Sequence, residues 1–134
     1  MRKIEHIGIA VRDLKQADLL YESLLGVAAY KHEDVPTENV TTSFFRIGPN
    51  KIELIQSDLP ESAISKFIEK KGEGLHHIAF DVEDIIVEME RLKALGFNLL
   101  SQEPKVGADN KLICFVHPKS ANGVLIELCQ EIKT

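Results

Sequence analysis

Cysteine is scarce. Two residues, Cys114 and Cys129, are too few for a disulfide framework and lack the paired spacing of a zinc finger. Each sits in an apolar run, which predicts a buried free thiol. No stretch approaches the roughly 18 consecutive apolar residues of a membrane span. The first residues, Met1-Arg2-Lys3-Ile4-Glu5-His6, lead straight into a patterned strand and do not read as a signal peptide. A basic stripe is missing too: the formal net charge is -5, which argues against a general nucleic-acid binder. Neither a G-x-G-x-x-G nor a P-loop occurs, so no organic cofactor motif is present. These absences predict a compact cytoplasmic protein with a real core and with neither nucleic acid nor membrane as partner.

What is there is a repeat. Ile4-Glu5-His6-Ile7-Gly8-Ile9-Ala10-Val11-Arg12-Asp13-Leu14 can be set above Leu75-His76-His77-Ile78-Ala79-Phe80-Asp81-Val82-Glu83-Asp84-Ile85. His6 then falls on His77, Val11 on Val82 and Asp13 on Asp84. Leu25-Gly26-Val27 answers Leu95-Gly96-Phe97 with one residue of slippage. At the end of each half, Lys51-Ile52-Glu53-Leu54-Ile55-Gln56 matches Leu125-Ile126-Glu127-Leu128-Cys129-Gln130. Coincidences recurring in the same order mean a duplicated module.

Each half reads alike. Alternation around the histidine predicts strands over residues 4–11 and 75–82, with His6 and His77 on one face. Asp13 and Asp84 are candidate N-caps of amphipathic helices, the first closed by Gly26. Short strands follow near residues 27–32, 40–47 and 51–57, and again near 97–102, 111–117 and 124–130. Residues 61–71 read as a helix with Ile64, Phe67 and Ile68 on one side. The predicted class is α+β: two tandem βαβββ modules forming a curved mixed sheet around a metal-binding cleft, within one domain spanning 1–134. Module one covers about 1–58, the linking helix about 61–72 and module two about 73–134.

His6, Glu53, His77 and Glu127 make a set of two imidazoles and two carboxylates at matched repeat positions. Such a set suits a divalent transition metal: cobalt, nickel, zinc or iron. A glutamate flanked by isoleucine and leucine is costly to bury unless paired or metal-bound. Four ligands on an octahedral ion leave two positions open for a chelating substrate. His76 has the opposite strand parity and reads as a packing partner, while His32 and His117 have no repeat counterpart.

This His-Glu-His-Glu order on a duplicated module resembles the vicinal oxygen chelate superfamily over essentially the whole chain. The finer resemblance is to methylmalonyl-CoA epimerase. It rests on Gly74-Leu75-His76-His77-Ile78, on Glu103-Pro104-Lys105-Val106-Gly107, and on Phe115-Val116-His117-Pro118-Lys119-Ser120 through to Glu127-Leu128. The resemblance implies a metal-dependent 1,1-proton transfer through a metal-stabilised enolate, with Glu127 and Glu53 as proton-transfer groups. An acyl-CoA substrate is implied, with Lys119 as the candidate for the coenzyme A phosphates and Lys105 and Lys111 as further candidates. So is a homodimer. Some relatives place an additional acid near Thr41 to Ser43, and this sequence has none there. Glyoxalase I (lactoylglutathione lyase), acting on the glutathione hemithioacetal of methylglyoxal, shares the ligand set and is the alternative. A binding protein without chemistry, or an extradiol dioxygenase, fits the full four-residue set less well.

Overall fold

The computed structural model describes residues 1–133. The order of elements is β1 (Lys3–Ala10), α1 (Leu14–Leu25), β2 (Lys31–Val35), β3 (Val40–Ile47), β4 (Asn50–Gln56) and α2 (Ala63–Lys71). It continues with β5 (Gly74–Asp81), α3 (Ile85–Ala94), β6 (Lys105–Val106), β7 (Lys111–Val116) and β8 (Ile126–Glu131). The fold is therefore α+β and contains the βαβββ order twice. Among the described residues no helix is long and apolar enough to cross a membrane. The chain divides into two compact units, one spanning His6–His76 and the other joining Met1–Glu5 to the chain from His77 onward.

In the His6–His76 unit the strands lie in the order β2-β3-β4-β1. β1 and β4 are parallel, whereas β3 is antiparallel to both β2 and β4. Alternation gives the sheet two different faces. One carries Val11, Phe45 and Leu54 beneath Leu14 and Ala17 of α1. The other carries Ala10 and Ile55 against Ile64, Phe67 and Ile68 of α2.

The second unit repeats this plan in the order β5-β8-β7-β6, again with a parallel pair, β5 and β8, and antiparallel neighbours. Val82, Cys114, Val116 and Leu128 pack beneath Ile85, Met89 and Leu92 of α3. Ala79, Ile113 and Cys129 occupy the opposite face with Phe115. Both cysteines are buried thiols outside any disulfide.

The repeated aspartate and glutamine have one structural job. Asp13 accepts from the Gln16 N–H at 3.1 Å, and Asp84 from the Val87 N–H at 3.2 Å, each capping its helix. Gln56 Oε1 accepts from the Leu14 N–H at 2.6 Å, and Gln130 Oε1 from the Ile85 N–H at 2.8 Å. The last strand of each module thus satisfies the first N–H of that module's helix. Gly26 closes α1 in the left-handed region at φ 76°, its N–H bonding to Glu22 O. Ser62 caps α2, and Gly72 ends it as expected.

The strand after each helix lies further along than its apolar residues predict. β2 starts at Lys31, and β6 is two residues long at Lys105–Val106. Around Leu99 there is a single bridge to Val116. Both strands lie at sheet edges, where charged residues such as Lys31, Glu33 and Asp34 are tolerated and blur the period-two signal.

Candidate metal centre

His6 and Glu53 stand on the parallel strands β1 and β4. Gly8, two residues beyond the histidine, is the register partner of Glu53, so the two side chains share a face. His6 Nε2 lies 3.3 Å from Glu53 Oε1, and both side chains are 7% exposed. The second unit builds the same pair by the same rule. Ala79, two residues beyond His77, is the register partner of Glu127. His77 Nε2 lies 2.9 Å from Glu127 Oε1, with the side chains 3% and 7% exposed.

The register shows a further match that the sequence alignment passes over. Phe44 is the antiparallel partner of Glu53, and Phe115 is the antiparallel partner of Glu127. Phe115 meets the His77 ring edge-on at 5.9 Å between centroids, which fixes the imidazole plane. The bond from Tyr30 N–H to Phe44 O likewise recurs as Leu100 N–H to Phe115 O. Spacing hides these equivalences because the connection after β3, residues 48–49, is far shorter than the one after β7, residues 117–125.

Two buried carboxylates, each facing an imidazole nitrogen, suit a divalent cation. An isolated buried carboxylate is costly, and metal coordination is one of the few ways to offset that cost. His6, His77 and Glu127 are each buried side chains offering a ligating atom. The donor chemistry fits an imidazole-carboxylate metal centre.

Asp81 and the remaining histidines have other partners. Asp81 lies on the His77 face of β5, but Arg2 Nε bonds its Oδ2 at 2.8 Å. That hydrogen bond and charge hold the Arg2 guanidinium above its ordinary pKa. His76 packs edge-on against Phe67 at 4.9 Å, as its strand parity predicts. His32 pairs with Asp18 at 2.8 Å. His117 Nδ1 accepts from the Lys119 N–H at 3.0 Å at the short 3-10 turn Pro118–Ala121. Lys119 is exposed on that turn.

Residues 5–115 match the glyoxalase/bleomycin resistance protein/dioxygenase superfamily. The chain belongs to this superfamily. Among its relatives, the ethylmalonyl-CoA/methylmalonyl-CoA epimerase of Cereibacter sphaeroides is 42% identical over 130 residues, covering 96% of this chain and 97% of that protein. Human mitochondrial methylmalonyl-CoA epimerase is 36% identical, over 96% of this chain and 73% of its own length. The fold is similar to that of a Streptomyces coelicolor methylmalonyl-CoA epimerase variant in complex with 2-nitronate-propionyl-CoA. That similarity has a TM-score of 0.95, with 31% identity and 99% of each chain covered. Likeness to lactoylglutathione lyase is more distant: the Arabidopsis thaliana protein is 25% identical, and the match spans 44% of its length. Within its superfamily the chain is thus like the methylmalonyl-CoA epimerases.

Proposed function

We propose that this protein is a metal-dependent methylmalonyl-CoA epimerase, which moves the C2 proton of methylmalonyl-CoA from one face of that carbon to the other. The observation that carries the reading is the 42% identity, over nearly the full length of both chains, to an epimerase of ethylmalonyl-CoA and methylmalonyl-CoA. The paired buried histidine and glutamate in each unit supply chemistry to match. His6, Glu53, His77 and Glu127 would together hold one divalent ion: cobalt, nickel or zinc. When bound, such an ion supplies Lewis-acid stabilisation for negative charge developing on substrate oxygens.

The protein's own part is proton handling in a water-poor site. A 1,1-proton transfer needs a base on one face of the carbon and an acid on the other. The duplication contributes one buried carboxylate from each module. In this reading Glu127 takes the C2 proton while the C–H electron pair moves into the thioester carbonyl, giving an enolate. Glu53, entering the turnover protonated, gives its proton to the opposite face as the electron pair comes back to C2. Glu127 is left protonated and Glu53 ionised; proton exchange with solvent resets the pair, and no redox change occurs. The edge-on contact of Phe115 with His77 keeps that imidazole oriented beside Glu127. Lys119 stays a candidate for the coenzyme A phosphates, its exposed turn giving it reach into solvent. A cytoplasmic homodimer completes the reading, and sedimentation velocity checks its stoichiometry.

A side-by-side assay separates this reading from its rival. Purified protein reconstituted with cobalt is offered single-enantiomer methylmalonyl-CoA or the methylglyoxal-glutathione hemithioacetal. Chelator-sensitive racemisation of the first, with no thioester formed from the second, supports the epimerase. The reverse pattern makes the protein a lactoylglutathione lyase.

A further inference from the structure

Arg46 stands on β3 two residues beyond Phe44, and alternation puts it on the face that Phe44 shares with Glu53. In register it faces Lys51, which precedes Glu53 by two residues on β4 and is itself the partner of His6 on β1. The two cations therefore fill the row next to Glu53, within the unit that carries both His6 and Glu53. Diagonal cross-strand neighbours such as Arg46 and Glu53 lie about 7–8 Å apart at the backbone.

Like charges set directly opposite one another in a sheet are destabilising. This chain keeps such a pair although carboxylates outnumber its cations and its formal net charge is -5. Arg2 pairs with Asp81, Arg12 with Glu73 and Arg91 with Glu88. Arg46 alone of the arginines has no acidic partner among the described residues. Its guanidinium lies over the Tyr30 ring, Cζ 4.6 Å from the centroid, and Tyr30 meets the Phe44 ring at 6.3 Å. Stacking on an aromatic face orients the guanidinium and leaves its N–H edge available to an anion. Lys31, opposite Phe44 on the same face, differs in that Glu33 lies 3.3 Å from its ammonium. The repeat sharpens the point. Two residues beyond Phe115 and two before Glu127, the second unit has His117 and Leu125, so the facing cations belong to one module only.

We infer that Arg46 and Lys51 form an anion-binding rim beside Glu53 that takes a phosphate group of the acyl-CoA ligand. The identity of that ligand rests on the epimerase reading; the facing pair of cations does not. A pantetheine arm separates the phosphates of coenzyme A from the reacting carbon. Their site therefore belongs at an accessible rim, and Arg46 is exposed where Glu53 is buried. Arginine suits the task because its fork gives two parallel hydrogen bonds to phosphate oxygens.

The test is calorimetric binding to cobalt-loaded wild-type protein, Arg46→Met, Arg46→Lys, Lys51→Met and, for comparison, Lys119→Met. Three ligands are used: methylmalonyl-CoA; propionyl-CoA, which keeps the phosphates and lacks the free carboxylate; and methylmalonyl-pantetheine, which keeps the carboxylate and lacks the phosphates. Arg46→Met is expected to weaken both CoA thioesters by about 10-fold, the loss of a charge-assisted hydrogen bond, with partial recovery in Arg46→Lys. Lys51→Met should weaken them too, and methylmalonyl-pantetheine should bind Arg46→Met and wild type alike. Added salt should narrow the gap between wild type and Arg46→Met, because the rim is open to solvent. Without ligand, Arg46→Met should melt at or above the wild-type temperature, since a like-charge pair is relieved. Wild-type affinity of Arg46→Met for the CoA thioesters overturns the inference, as does an equal loss on methylmalonyl-pantetheine or a loss confined to Lys119→Met. Wild-type protein that binds both CoA thioesters without exchanging the C2 proton of methylmalonyl-CoA refutes the epimerase reading alone, and the Arg46 comparison still decides. Protein that binds neither overturns both.

Discussion

Replacing Glu127 by glutamine removes one negative charge from the second His-Glu pair while keeping its size and an oxygen that can face His77 Nε2, now at 2.9 Å from Oε1. In metal-free protein the exchange should change stability by no more than about 1 kcal/mol, since shape and one hydrogen bond survive. With metal the two proteins should part company. At a free ion concentration of about 100 times its Kd, wild-type protein gains about 2.7 kcal/mol. Unfolding entropy near 2.1 cal/mol/K per residue amounts to about 280 cal/mol/K for a chain of this length, so the melting midpoint rises by about 10 °C. If losing the anionic ligand weakens Kd by about 100-fold, the gain at the same ion concentration falls to about 0.4 kcal/mol, a shift of about 1 to 2 °C. Differential scanning fluorimetry across a cobalt or nickel titration reads this directly. Glu53→Gln should behave likewise, because its pair is built on the same register. A Glu127→Gln protein that keeps the full metal-induced shift would refute the assignment of this carboxylate as a ligand.

Other outcomes follow from the fold. Leu128→Ala, at a fully buried position between Val82, Cys114 and α3, should cost about 3 kcal/mol in urea unfolding. Asp84→Ala removes the cap of α3 and should cost about 1 kcal/mol. Gln130→Leu strands the Ile85 N–H and should destabilise by about 1 to 3 kcal/mol, with the damage centred on α3 in hydrogen exchange. The Glu88–Arg91 pair predicts a pH effect. Arg91's hydrogen bond holds the Glu88 carboxyl below its ordinary value of 4.5. The pair's contribution is therefore present above that value and lost as pH falls through the lowered one. Because the pair is largely solvent-screened, Glu88→Gln should cost only about 0.3 to 0.5 kcal/mol near neutrality, and the difference should close in acid.

Much of this was legible in the sequence because duplication prints each instruction twice. His6 and His77, Asp13 and Asp84, and the two Ile-Glu-Leu strand ends stand at matched places. From these follow both helices, their caps and both first and last strands. The repeated glutamine was visible as a letter, but its task of receiving the first helical N–H became visible only in three dimensions. β2 and β6 were misplaced because edge strands need bury little, so their charges carry no alternation to read. Phe44 and Phe115 were missed as partners of the carboxylates, because antiparallel register depends on loop lengths that differ between halves. Lys111, 8% exposed, could not be told from the exposed Lys105 and Lys119, since burial of a lysine leaves no mark in composition or period.

The most direct test of the central claim is proton exchange at C2 of methylmalonyl-CoA, followed by NMR in heavy water with cobalt-loaded protein, with and without chelator. The account predicts rapid loss of the C2 proton signal, arrested by chelator and restored when metal is added back. Metal-loaded protein that leaves the C2 proton in place would contradict it.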